Sequence, residues 1–175
     1  MTDYTVSGLS LRFPVRGRPL ISQFFGVNAE IYRPYGLAGH EGLDFALPIG
    51  SVVVAAAAGQ VWRAGDSKGP WGIRVILQHE FGFTVYAHLR NVLVSVGRKV
   101  EAEQVLGYSG DTGNVTGPHL HFSLALRREH VGYACPAAMG AAWWYDPMLV
   151  SDASLASRRA LISEACCQPA TITDV

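Results

Sequence analysis

Charge is scarce in this 175-residue chain, and neither sign prevails. Only 16% of the residues are charged, with 14 Lys+Arg against 14 Asp+Glu and a formal net charge of +0. A balanced chain has no broad field to draw in nucleic acid or an anionic membrane, so neither is an expected partner. Cysteine is equally thin: Cys135, Cys166 and Cys167 are odd in number and late in the chain. They make neither a disulfide framework nor a paired CxxC zinc motif, and read as a free buried thiol and two tail cysteines. No apolar run reaches the ~18 residues of a membrane-spanning helix. The closest, Ser51–Gly59 (SVVVAAAAG), reads as a buried strand followed by a turn. The opening stretch MTDYTVSGLSLRFPVRG carries an early acid and no continuous apolar segment, so it does not read as a secretory leader. Hydrophobic residues still make up 49% of the chain, enough for one domain with a packed core and too many for disorder.

Glycine and proline are plentiful, 19 and 9 residues, and scattered. They punctuate short β-branched segments at Ser51–Val54, Gln60–Ala64, Ile73–His79, Phe83–His88, Val92–Val96, Val105–Ser109 and His119–Leu126. Regular short strands with turn signals predict a mainly β, compact antiparallel sandwich or barrel-like core. Residues 1–22 read as a lead-in, irregular up to about Gly39, that Phe13, Phe24, Phe25, Tyr32 and Tyr35 pin to the body. Residues 23–150 read as the β domain, within which Gly132–Trp144 is expected as an extended loop. Residues 151–175 read as a short C-terminal helix over Ser151–Ala165 and a loose tail.

The chemistry concentrates on histidine. His119-Leu120-His121 opens the run HLHFSLAL, and alternation along a strand points both imidazoles to one face. Leu120, Phe122, Leu124 and Leu126 then share the other face, toward a core. In GHEGLDF, the spacing of His40 and Asp44 puts both on one side of a strand or helix, and Glu41 faces away if the segment is extended. His40, Asp44 and one of the paired histidines make a three-ligand zinc set with a fourth position open to water, the catalytic rather than the structural pattern. His88, in VYAHL, supplies a further imidazole for proton transfer. Any one of these histidines alone is more often a packing or surface residue than a ligand; the weight lies in their occurring together, in order, in one small β domain.

The succession GHEGLDFA, PIGSVVVAAAAGQV, VYAHL and VGRKVEAEQVLGYSGDTGNVTGPHLHF resembles the M23 metallopeptidases, the lysostaphin-like (LytM-type) zinc endopeptidases that cut peptidoglycan cross-bridges. The resemblance runs from about Gln23 to Leu126, with an end near Asp146-Pro147. It implies the lysostaphin-type fold and a Zn2+ ion on His40, Asp44 and His121. It further implies that His119 is the general base and His88 its partner, and that the substrate is the stem and cross-bridge peptides of peptidoglycan. Two weaker assignments accompany it. Tyr35 stands near where some relatives place a tyrosine that helps the transition state, and Trp71 in Ser67–Gly72 is a candidate for stacking on substrate. Ser123 departs from the family, which often has Glu there; as it shares the face of His119 and His121, it bears on the support of the ligands. His79 reads as structural. His130, Arg127 and Arg128 read as a solvated rim, with contact of the two arginines to stem-peptide carboxylates as the alternative.

Two rival functions remain at this level. One is a latent or scaffolding module of the same type, its groove covered by the lead-in or by Gly132–Trp144. The other is a metal-free carbohydrate-binding sandwich. A wall-degrading enzyme without a leader is expected to act after lysis or on particle delivery, as a phage lysin or an injection-particle component with particle proteins as partners; a piece of a larger exported protein is the alternative.

Overall fold

The computed structural model describes residues 9, 11–17, 19–127, 142–149 and 167–169. Strands dominate: β1 (Leu20–Gln23), β2 (Leu43–Ala46), β3 (Val52–Val54), β4 (Gly59–Asp66), β5 (Ile73–Gln78), β6 (Gly82–Val92), β7 (Lys99–Val100), β8 (Val105–Ser109), β9 (His119–Arg127), β10 (Ala142–Tyr145) and β11 (Cys167–Pro169). One short helix, α1 (Ala29–Tyr32), continues into a 3-10 turn over Arg33–Tyr35. No helix among the described residues is long and apolar enough to cross a membrane.

Every strand pairing is antiparallel, and the main order is β1-β2-β9-β6-β5-β4-β7. β9 lies at the centre of the site's half of the sheet. β6 takes one of its edges, while β2 and β10 share the other end to end, β2 against His119–Phe122 and β10 against Leu124–Arg127. β6 serves two partners in turn: its first part lies between β5 and β9, and its last residues leave β9 and pair with β8, which carries β3. The change falls at His88, whose backbone is left-handed at φ 59°, with a register irregularity between Leu89 and Asn91. Such breaks let one strand turn a corner and close a sheet over its own core.

Alternation then sorts side chains to two faces. Leu120, Phe122, Leu124 and Leu126 of β9 join Leu43, Phe45, Tyr86 and Leu106 in the main core, as the pattern of HLHFSLAL predicts. The opposite face carries His119, His121 and Ser123, and beyond them a smaller apolar cluster of Ile76, Val85, Ala87, Ala125 and Trp144. The site thus sits on a sheet face that is part polar and part aromatic.

Several expectations change. The lead-in is not irregular throughout: Leu11 and Val15 are buried, Val15 bridges Val53, and β1 and α1 are regular. Of the pinning aromatics, Phe13 meets Phe45 edge-on and Tyr32 lies against His40, whereas Phe24 and Tyr35 stay exposed. Val92–Val96 is no separate strand, because β6 runs through to Val92 and its alternation ends there. Ala142–Tyr145 is a strand on β9 rather than loop, and Cys167–Pro169 pairs with it rather than hanging free. The expected helix over Ser151–Ala165, Cys135, Cys166, His130 and Arg128 lie outside the described residues.

Candidate metal centre

Pairing between β2 and β9 sets Asp44 directly opposite His121, and side chains of directly opposed residues stand side by side on one face. His40 reaches the same point from the turn before β2. Its backbone is fixed by an N–H donated to Val27 O at 2.9 Å and a carbonyl that accepts from Gly26 N–H at 2.8 Å. Gly39 permits that approach, since a Cβ there would lie 2.4 Å from Gly26 O.

Three atoms converge. His40 Nε2 lies 3.1 Å from Asp44 Oδ1, His121 Nδ1 lies 3.0 Å from the same oxygen, and the two ring nitrogens are 3.0 Å apart. The far side of each ring fixes its proton. His40 Nδ1–H donates to Phe24 O at 3.1 Å, a carbonyl that can only accept, and His121 Nε2 meets the Ser123 hydroxyl at 2.5 Å, which accepts its proton when Nδ1 faces a cation. With both rings neutral and protonated on their far sides, the converging nitrogens present lone pairs to a carboxylate oxygen, an arrangement that repels itself unless a cation, a ring proton or a metal ion, stands among the donors. All three residues are buried. A tetrahedral zinc with bonds of ~2.0–2.1 Å needs donors about 3.3 Å apart, so the residues present fit such an ion.

Glu41 enters the same cluster, against expectation. A bend at Gly42 interrupts the alternation that would have turned it outward. It is buried, accepts the Trp71 indole N–H at 3.2 Å, and brings Oε1 to 3.7 Å from His121 Nε2. His40, Glu41 and His121 also offer donor atoms within 4.8 Å of one another. Glu41, however, approaches the nitrogen that Ser123 engages, whereas Asp44 meets the free Nδ1; Asp44 is the better third donor.

The electrostatics agree with a cation well. Burial raises the Asp44 carboxyl, but its hydrogen bonds to His121 and His40 and their positive charge outweigh that and hold it well below the usual carboxylate range. His121 is shifted upward: burial opposes its charge, and the Asp44 hydrogen bond with the negative Glu41 and Asp44 overcomes burial. Tyr32 feels the same field; burial first, then Asp44 and Glu41, push its phenol up to about 12.

Two more imidazoles flank the donors. His119 Nδ1–H donates to Gly117 O at 2.8 Å, leaving Nε2 basic and 3.8 Å from Asp44 Oδ2. His88 Nδ1–H donates to Thr112 O at 2.8 Å, and its ring lies 4.6 Å from that of His119 and 5.9 Å from that of His121. Burial, followed by the positive charge of His121, pushes His88 down to about 4, so it is neutral at neutral pH. The side chain of His119 keeps 16% of its surface exposed, which leaves a path for solvent. The structure thus gathers His40, Asp44, His121, His119 and His88 at one place.

The weaker candidates stand at the rim. Trp71 lies 6.4 Å from the His121 ring in a stacked arrangement and meets Trp144 edge-on at 5.8 Å, so it walls the centre. Tyr35 is exposed and meets none of the converging donors, its hydroxyl accepting from Asn114 Nδ2 at 3.3 Å. His79 is remote and structural, held between Ala58 O at 2.7 Å and Thr84 Oγ1 at 2.8 Å. Sequence reasoning missed the inward turn of Glu41 and the wall residue Trp144; the glycine after Glu41 was the only signal for the former.

A buried sheet that holds two histidines and an aspartate around one point, with two free imidazoles beside it, defines the class of metal-dependent hydrolases. The chain belongs to peptidase family M23, whose family model matches residues 38–132. It is 40% identical over 121 residues to the peptidoglycan DD-endopeptidase ShyA of Vibrio cholerae, an alignment covering 69% of this chain and 28% of that protein. Among solved structures it is similar to a zinc-containing peptidase from Vibrio cholerae, with a TM-score of 0.57 and 33% identity over 66% of this chain and 36% of that one. Lysostaphin from Staphylococcus simulans superposes with a TM-score of 0.58 and 28% identity, over 89% of this chain and 56% of that one. The chain spans only about a quarter to a third of the length of the curated relatives it matches.

Proposed function

We propose that this chain is a zinc-dependent endopeptidase that hydrolyses peptide cross-links of bacterial peptidoglycan. The observation that carries the proposal is the convergence of His40 Nε2, Asp44 Oδ1 and His121 Nδ1 within 3.1 Å of one another, with the far nitrogen of each ring engaged by Phe24 O or Ser123 Oγ. The substrate class is supported by the relatives described as peptidoglycan DD-endopeptidases.

Zinc held by these residues would supply Lewis acidity toward the scissile carbonyl and toward water. The chain's own groups manage the protons. His119, oriented by Gly117 O, offers Nε2 as the base that takes a proton from the attacking water. The oxygen bonds to the carbonyl carbon, the C–N bond breaks, and the same nitrogen returns the proton to the leaving amine. His88, fixed by Thr112 O and neutral, offers a second polar nitrogen beside that path. Trp71 and Trp144 wall one side and exclude bulk water.

The test pairs zinc content with peptide release from purified cell walls. The wild-type chain is expected to bind about one zinc and release peptides, and H121A to lose both. Full activity in H121A refutes the reading.

A further inference from the structure

The proposed reaction leaves the buried carboxyl group beside the donors without a task. Glu41 is 5% exposed, and among the described residues its Oε2 has no hydrogen-bond partner. Its other oxygen receives the single indole N–H of Trp71. A carboxylate buried with so little hydrogen bonding is strongly unfavourable unless an opposite charge compensates it. No lysine or arginine forms an ion pair with it among the described residues; the nearest ring nitrogen is His121 Nε2, at 3.7 Å.

The donor set explains what the compensation would be. Two neutral imidazoles and one carboxylate leave a divalent ion with one uncancelled positive charge in a buried place. Glu41 cancels it. Its position also matters: it approaches His121 on the Nε2 side, the side that carries the proton when Nδ1 binds a metal, together with Ser123 Oγ. Carboxylates so placed make the ligand more basic and fix its ring. On the metallopeptidase reading of the site, we infer that Glu41 is the counter-ion of the loaded centre and a positioning residue for His121. It touches neither substrate nor reacting atoms.

The inference is separable from a packing role by the amide. A Gln at this position keeps the acceptor for Trp71 and the shape, and removes only the charge. Zinc affinity of the whole chain is measured by competition with a chromogenic chelator, with zinc alone as the probe. E41Q is expected to bind zinc about tenfold more weakly or worse, and E41D to stay within about threefold of wild type. Cobalt-substituted E41Q is expected to show altered d–d bands, reporting a displaced His121. Wild-type affinity in E41Q, within about threefold, overturns the inference and marks Glu41 as a packing partner of Trp71. Should E41Q fail to fold, the comparison of E41A with E41D decides: equal affinities overturn it, and a weaker E41A supports it. If the wild-type chain itself takes up no zinc, the metallopeptidase reading falls first, an outcome distinct from a charge-insensitive but zinc-binding protein.

Discussion

Gly42 is a close-packed point of the centre, and replacing it by alanine gives a prediction that can be worked from distances. A Cβ at Gly42 would lie 2.4 Å from Phe122 O, 2.8 Å from Ser123 Oγ and 2.9 Å from His121 Cε1. Ordinary contact begins near 3.4 Å, so the first of these must open by about 1 Å. The carbonyl belongs to β9, which is hydrogen-bonded on both edges, by β2 and β6, and packed on both faces. It cannot recede alone. The gap between β2 and β9 must widen instead, and that gap is where Asp44 meets His121. Overpacking of this kind destabilises by about 1–3 kcal/mol, and a backbone neighbour that cannot yield argues for the upper end. In a domain of this size about 3 kcal/mol is roughly 6–12 °C in Tm. A misplacement near 1 Å at a reacting centre lowers turnover by ~10²-fold. Calorimetry of G42A, with and without zinc, and peptide release from cell walls measure both effects. A G42A protein with wild-type Tm, zinc affinity and turnover refutes the steric account of this glycine.

Further outcomes follow from the same geometry. H119A and H88A are expected to keep about one zinc while turnover falls ~10²–10⁴-fold; loss of the metal in either would move that residue from proton transfer into the donor set. Y86F removes a buried hydroxyl that accepts Ala56 N–H at 2.8 Å and meets Thr84 Oγ1 at 3.1 Å. An orphaned buried N–H is worth ~1–3 kcal/mol, so thermal unfolding should show a loss of that size with zinc affinity unchanged, and a loss under about 0.5 kcal/mol would be the contrary result. Burial holds the His79 imidazole below its ordinary value. The unfolded chain then binds more protons below about pH 6.5, so stability is full above that pH and is lost as pH falls toward the folded pKa. Urea unfolding of wild type and H79Q between pH 7.5 and 5 should show the shallower pH dependence in H79Q; parallel curves would reject the assignment.

What the sequence disclosed, it disclosed where a period or a spacing is strict. HLHFSLAL alternates without interruption, and the protein buries its leucines and phenylalanine in one core while turning its histidines to the other face. The pair His40 and Asp44 is likewise within reach of local geometry, because the chain enters β2 just after the glycine-containing turn. Glu41 was not legible: its direction depends on the bend at Gly42, and a bend cancels the alternation from which direction is inferred. Leu11 and Val15 sit among prolines and glycine with no repeat around them, so only their burial and the bridge of Val15 to Val53 reveal them as core. β10 and β11 were hidden for a further reason. AWWY and CQP show no alternation of polar and apolar residues, and each becomes a strand because a neighbour supplies an open edge.

That open edge has a consequence for anyone who would cut this chain down to a transplantable cassette. The matched family segment stops at residue 132, yet the second half of β9 is capped by residues 142–145, and these in turn by 167–169. Trp144 leans on Trp71, and Trp71 on His121. A fusion ending at the motif boundary would leave a sticky strand margin and a wall without its outer brick, so the smallest graftable unit extends through Pro169.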